Sequence, residues 1–221
     1  MKTNQLMRLV QRLPEKPGIL GRDEYSSFAV LLLLIAKEDE FHFVFQKRNQ
    51  TIRQGGEISF PGGKFDASKD ISLKDTALRE TKEEMGIDRD KIRIIGMMDT
   101  MIAPQGMALE IFVGITEFRT DEMKINYSEV EKIFTFPVKI FEDNDPDEYS
   151  TQIEIKPYYI DKQTGKKIIL FPSRELGLPE RYHEPWGGFR HKIFVYKTSE
   201  GIIWGITARI IRDFVKKSKN I

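Results

Sequence analysis

Three carboxylates in one short stretch, Glu80, Glu83 and Glu84, stand at i, i+3 and i+4. At about 100° per residue this spacing puts them on a single helix face. Carboxylates so placed repel one another unless a cation lies among them. A hard, oxygen-seeking ion such as Mg²⁺ meets that need, because it takes few carboxylates, keeps part of its water and completes an octahedron with phosphate oxygens. Alone, such a trio is more often a solvated helix face. The upstream loop Phe60-Pro61-Gly62-Gly63 adds to it: two adjacent glycines allow a backbone carbonyl to reach a metal, or an amide to reach a phosphate.

The elements that must position these groups can be read around them. Leu73, Ala77, Leu78 and Met85 give Ser72 to Met85 a helical period, and Gly86 is a natural stop. Ser27 to Ile35 and Phe41 to Phe45, separated by the polar run Lys37-Glu38-Asp39-Glu40, read as a β-hairpin with one strand deeply buried. Arg53 to Gly63 reads as a loop interrupted by Ile58-Ser59-Phe60. Strands are expected at 92–100 and 108–116, and a mixed segment around 129–141. After an acidic loop at 142–148, further strands are expected at 152–160 and 167–171, then at 192–196, with a last helix from about Ile203 to Lys217. Leu6, Met7, Val10 and Leu13 make residues 3 to 13 a short amphipathic helix expected to pack on the domain. Trp204 is expected to pack at the opening of the last helix.

Bulk composition narrows the function classes. At 221 residues the chain suits one domain with an insertion, and 35 Lys plus Arg against 34 Asp plus Glu leave no global basic field for nucleic acid or a membrane surface. Cysteine is absent, which excludes disulfides, thiolate metal sites and a cysteine nucleophile. The apolar run from Phe28 to Ala36 is far shorter than the ~20 residues of a membrane helix, and the N-terminus has no signal-peptide pattern. A soluble cytoplasmic enzyme or binding domain is expected, with no nucleic-acid or membrane partner.

Residues 60 to 87 resemble the Nudix box, whose pattern is Gly, five residues, Glu, seven residues, Arg-Glu, an aliphatic, any residue, Glu-Glu, any residue, Gly and an aliphatic. Arg79-Glu80-Thr81-Lys82-Glu83-Glu84-Met85-Gly86-Ile87 carries the second half. The resemblance implies an α/β fold, a Nudix-like α/β/α sandwich with a mixed β-sheet and here an elaborated C-terminal half. It also implies hydrolysis of a nucleoside diphosphate linked to another group. By motif position, Glu80, Glu83, Glu84 and the Gly63 carbonyl would hold Mg²⁺ or Mn²⁺, and Arg79 would orient the carboxylates. The stretch from Gly63 to Arg79 is two residues longer than the pattern, Thr81 replaces the aliphatic, and the upstream Glu is missing, with Asp66 or Asp70 as its substitute. As one domain the chain divides into a lead-in (1–23), a core (24–141, box 63–87), an insertion (142–190) and a final strand and helix (191–221).

Phe45 to Gly63 is similar to the motif preceding the box in coenzyme A pyrophosphatases, with Arg48, Arg53, Gly56 and Gly62 on its positions. Ile203-Trp204-Gly205-Ile206-Thr207-Ala208-Arg209 is like that family's last helix start. Two arginines beside a glycine loop suit a 3′-phosphate or the pyrophosphate. The substrate so implied is CoA or acyl-CoA, giving 3′,5′-ADP and (acyl-)4′-phosphopantetheine; ADP-ribose, NADH or another dinucleotide is the alternative. Glu80 and Glu83 are candidate bases within the box, and Glu110, Glu129 and Glu131 outside it. Isopentenyl diphosphate isomerase shares the fold but needs a cysteine. A non-catalytic Nudix-fold sensor is the rival of another class. Asp143, Asp145, Asp147 and Glu154 fall on a calcium-loop spacing, but Glu148 replaces its Gly and a strand follows, so a solvated acidic loop is expected. His42, His183 and His191 lack zinc-ligand spacing. Tyr182, Trp186 and Phe189 could stack on an adenine, line a homodimer contact or staple their loop.

Overall fold

The unbroken apolar run between Ser26 and Lys37 has no polar alternation because both faces of that strand are covered. In the computed structural model, which describes residues 3–15 and 18–219, β1 (Ser26–Lys37) sits mid-sheet. Ala29, Leu31, Leu33 and Ile35 point to one side and Leu32 and Leu34 to the other, all at most 4% exposed. β1 pairs antiparallel with β2 (Glu40–Arg48), as the hairpin reading required, and with the short β4 (Gly62–Lys64). Its long partner is parallel: β7 (Met107–Thr116), from Ser26 opposite Met107 to Ile35 opposite Thr116. β3 (Ile58–Ser59) and β8 (Val130–Pro137) join β2, while β5 (Ile92–Met97) and β6 (Met101–Ala103) join β7.

Helices cover both faces of this mixed sheet. On one side α2 (Leu73–Met85) lays Ala77, Leu78 and Met85 against the odd-numbered side chains of β1, Val44 and Phe112. On the other, α3 (Val138–Asp143) and α4 (Gly205–Ser218) close over Phe43, Phe45 and Phe136; Phe141, Ile210, Ile211 and Val215 complete that core. Phe43 packs on Phe45, Phe60, Phe141 and Phe214 with centroids 5.3 to 6.0 Å apart. The architecture is the α/β/α sandwich expected.

The C-terminal half differs in detail from its sequence reading. The 152–160 strand is two, β9 (Asp147–Ile155) and β10 (Tyr158–Ile160), broken at Lys156-Pro157 because proline lacks the ladder N–H. β10 forms a hairpin with β11 (Lys167–Ile169). The strand expected at 192–196 is longer, β12 (Trp186–Thr198); Gly187-Gly188 accommodates a register shift against β9 that made its first residues read as loop. β13 (Gly201–Trp204) precedes α4, so Ile203 and Trp204 belong to a strand and not to the last helix. At the other end α1 (Thr3–Val10) forms, but Leu6, Met7, Val10 and Leu13 remain 45 to 60% exposed, so its apolar stripe is not packed on the domain. No described helix is long and apolar enough to cross a membrane.

Candidate active site

The carboxylate helix is anchored before any ligand arrives. Asp75 N–H donates to the Ser72 hydroxyl at 3.3 Å, that hydroxyl donates to the Asp75 carboxylate at 2.7 Å, and Gly86 closes α2 with φ 72°. Thr81 is fully buried and donates to the Ala77 carbonyl at 2.7 Å, which is how a hydroxyl fits where the pattern has an aliphatic.

Arg79 organises the acids around it. Its Nε and Nη2 donate to the two oxygens of Asp70 at 2.8 and 2.9 Å, and its Nη1 donates to Glu80 at 2.8 Å and Glu83 at 3.0 Å. Asp70, 6% exposed, also accepts from the Thr76 hydroxyl at 2.8 Å and the Asp66 N–H at 3.0 Å. These donors, Arg79 first, hold its carboxyl well below the usual carboxylate range in spite of burial. Of the two acids that could replace the missing Glu, Asp70 therefore meets the arginine. Asp66 instead closes the loop, accepting from Ser68 N–H at 3.0 Å and the Ser68 hydroxyl at 2.6 Å.

Glu84 occupies a different environment on the same helix face. It is 3% exposed, accepts the Gly62 N–H at 3.1 Å and lies 3.9 Å from Arg48 Nη1. Burial pushes its carboxyl up to about 7, against the opposing pull of Gln46 and the Gly62 N–H. Glu80 is also raised, first by burial, with Arg79 lowering it and the charges of Glu83 and Glu129 adding to the rise. The glycine pair explains how the loop approaches so closely. A Cβ on Gly62 would stand 2.4 Å from the Ala29 carbonyl oxygen, and one on Gly63 2.4 Å from Glu80 Oε1.

Gly63 backbone and Glu80 carboxylate are thus neighbours, beside Glu83 and a Glu84 whose charge is poorly solvated. Carboxylate and carbonyl oxygens of this kind are the donors a hard divalent ion takes. Among the described residues, no three acidic or imidazole side chains are gathered closely enough to clasp an ion as they stand. Arg79 draws Glu80 and Glu83 to itself, while Glu84 is engaged by Gly62.

The loop after β2 brings Arg48, Arg53 and Gly56 together. Arg48 Nη2 donates to the Arg53 carbonyl at 3.3 Å, the Gly56 N–H donates to the Arg48 carbonyl at 2.9 Å, and the Arg53 side chain is exposed. Among the candidate bases, Glu129 is near enough for its charge to act on Glu80. Glu131 is paired with Lys47 at 2.8 Å, and Glu110 lies half-buried on β7 opposite Ala29. Gln46 was not expected here. It alternates with Val44 on β2, faces α2, is fully buried and stands next to Glu84, yet neither amide atom makes a hydrogen bond of normal geometry. Its one signal in the sequence is an amide at an inward position of a buried strand.

The remaining candidates lie apart. Asp143 ends α3 and pairs with Lys139 at 2.9 Å; Asp147 starts β9 and pairs with Lys197 at 2.7 Å. His183 contacts the Leu178 carbonyl at 3.1 Å, while His42 and His191 are on β2 and β12. Tyr182 packs edge-on against Trp186 at 5.5 Å, stapling their segment, and Phe189 is 52% exposed.

Relatives of this chain are found along most of its length. A NudL protein of Photorhabdus laumondii, named an uncharacterized Nudix hydrolase, is 28% identical over 211 residues, covering 95% of this chain and 94% of the relative. The NudL of Yersinia enterocolitica is 23% identical over 203 residues, covering 91% and 86%. A solved Ap4A hydrolase from C. elegans aligns at a TM-score of 0.43 with 17% identity, over 51% of this chain and 80% of that one. The sequence model of the NUDIX domain matches residues 26–157, from the first residue of β1 to just past β9. With more than half of its length matched, carboxylate helix and glycine loop included, this chain belongs to the Nudix family.

Proposed function

We propose that the protein hydrolyses the pyrophosphate bond of CoA or acyl-CoA in the cytoplasm, releasing 3′,5′-ADP and (acyl-)4′-phosphopantetheine. The observation that carries this reading is the placement of Arg48. Its guanidinium lies 3.9 Å from Glu84, at the edge of the carboxylate cluster, while its main chain holds the loop that carries exposed Arg53. A pyrophosphate beside the glutamates meets Arg48, and a 3′-phosphate on the same nucleotide meets Arg53; guanidinium suits both anions.

Gly63, Glu80, Glu83 and Glu84 would hold Mg²⁺ or Mn²⁺, which when bound polarises phosphoryl oxygens and makes a bound water more acidic. Arg79 keeps Glu80 and Glu83 oriented, and Asp70 keeps Arg79 in place. In hydrolysis the water oxygen joins one phosphorus, the bridging oxygen leaves with the other, and the water proton passes to a carboxylate. Glu129 is favoured over Glu131 for that proton, because Lys47 already engages Glu131.

The test measures Mg²⁺-dependent product release from CoA, an acyl-CoA, ADP-ribose and NADH. Preferential release of 3′,5′-ADP from CoA or acyl-CoA is expected. Faster cleavage of ADP-ribose or NADH would move the assignment to a dinucleotide pyrophosphatase, and no turnover of any would favour a ligand sensor.

A further inference from the structure

Strand alternation turns Trp204 outward. Ile203 is fully buried in the α4-side core, so its neighbours Ile202 and Trp204 face away from that core, and they are 49% and 44% exposed. Val195, opposite Trp204 in the β12–β13 pairing, shares this outer face. Packing at the start of α4, the role its position suggested, does not account for an indole left so open. These side chains form one wall of a cleft of about 450 Å³ whose other wall is Gly55, Gly56 and Glu57. That volume is within the range of small-ligand sites. Gly55 and Gly56 line it with backbone alone, because a Cβ on either would meet Gln50, and among the described residues no hydrogen bond engages the Glu57 carboxylate, on which the charge of Arg48 acts.

We infer that this cleft receives the adenine ring of the nucleotide substrate, stacked on Trp204 with Glu57 accepting from its exocyclic amino group. The inference rests on the CoA reading above and deepens it. Gly55 follows Arg53 by two positions, and Arg48 ties the cleft to the carboxylate cluster. The Arg48 carbonyl accepts the Gly56 N–H and the Arg48 N–H donates to the Glu57 carbonyl, both at 2.9 Å, while its guanidinium points to Glu84. In CoA the 3′-phosphate and the adenine share one ribose. A 3′-phosphate at Arg53 therefore leaves the base beside Gly55 and Gly56, where the indole face supplies stacking and Glu57 an acceptor matched to an amino donor.

The chain has two tryptophans, so Trp186→Phe makes Trp204 the sole indole reporter. With Mg²⁺ present, saturable quenching of its emission by 3′,5′-ADP is expected, and none by 4′-phosphopantetheine. Trp204→Ala should raise KM for CoA roughly five- to a hundred-fold, the range for loss of base stacking, with kcat little changed, and Trp204→Phe should restore most of it. Quenching by 4′-phosphopantetheine alone would assign the cleft to the other half of the substrate, and no quenching by either would remove it from the site; both overturn the inference. So would a fall in kcat at unchanged KM. Quenching by 3′,5′-ADP without CoA cleavage keeps the adenine site and rejects the CoA reading. CoA cleavage without quenching does the reverse.

Discussion

Replacing Arg79 by methionine keeps the length of the side chain and removes the cation that binds Asp70, Glu80 and Glu83. Asp70 suffers most, because its side chain is 1% exposed and two of its hydrogen bonds come from Arg79 at 2.8 and 2.9 Å. Stripping one partner from a buried ion pair costs about 3–5 kcal/mol. The lower end applies here, since the Arg79 side chain is 18% exposed and Asp70 keeps its bonds from Thr76 and Asp66. For a chain of this size, about 3 kcal/mol corresponds to a Tm lower by roughly 6–12 °C. The loss should depend on pH in a fixed direction. Because the folded pKa of Asp70 is depressed, its stabilisation is present above the unfolded value of 3.8 and fades as pH falls through the folded pKa. In the variant that carboxyl has lost its main stabilising donor and protonates more readily. Urea unfolding of both proteins between pH 7 and pH 3 should therefore show the gap narrowing on acidification. A difference below about 1 kcal/mol at pH 7, or one that does not change with pH, would refute the view that Arg79 and Asp70 are a buried support for the carboxylates.

Glu83→Gln should lower Mg²⁺-dependent turnover by more than about a hundred-fold with little effect on folding, as Glu83 is the most exposed of the three glutamates; full activity would sink its assignment as a metal ligand. Gly63→Ala places a methyl 2.4 Å from Glu80 Oε1, so the carboxylate must move, and a Mn²⁺ titration should show affinity down by about 10–100-fold while the unfolding midpoint changes little. For Glu84 the sign is opposite to that of Asp70. Its folded pKa is raised to about 7 from 4.5, so the native state holds more protons than the unfolded chain between those values. The metal-free protein should lose stability as pH rises through that window. Glu84→Gln should flatten the dependence, read from unfolding midpoints in EDTA.

The local chemistry of the site was legible in the order of residues. A period of about 3.6 residues is enough to put Glu80, Glu83 and Glu84 on one face, and Ser72 and Gly86 mark the ends of their helix because caps act over a few residues. The β1–β2 hairpin was legible for the same reason, and the continuous apolar run of β1 already implied two covered faces. Elements whose identity depends on distant partners were harder to read. β13 forms because β12 pairs with it, and the first residues of β12 read as a glycine loop until β9 supplies their ladder. The stripe of α1 promised packing that its position does not deliver.

Sequence by itself determined which three glutamates share a helix face, the glycine loop that precedes them and the nearness of Arg48 and Arg53 in the chain, since each depends on neighbours in the chain. Tertiary structure alone decided between Asp66 and Asp70, because both are plausible by spacing and only the return of α2 under the loop brings Arg79 to one of them. It placed buried Gln46 beside Glu84 from a strand far away in sequence. It also turned Trp204 out into a cleft against Gly55 and Gly56, a contact between segments about 150 residues apart that no local pattern encodes.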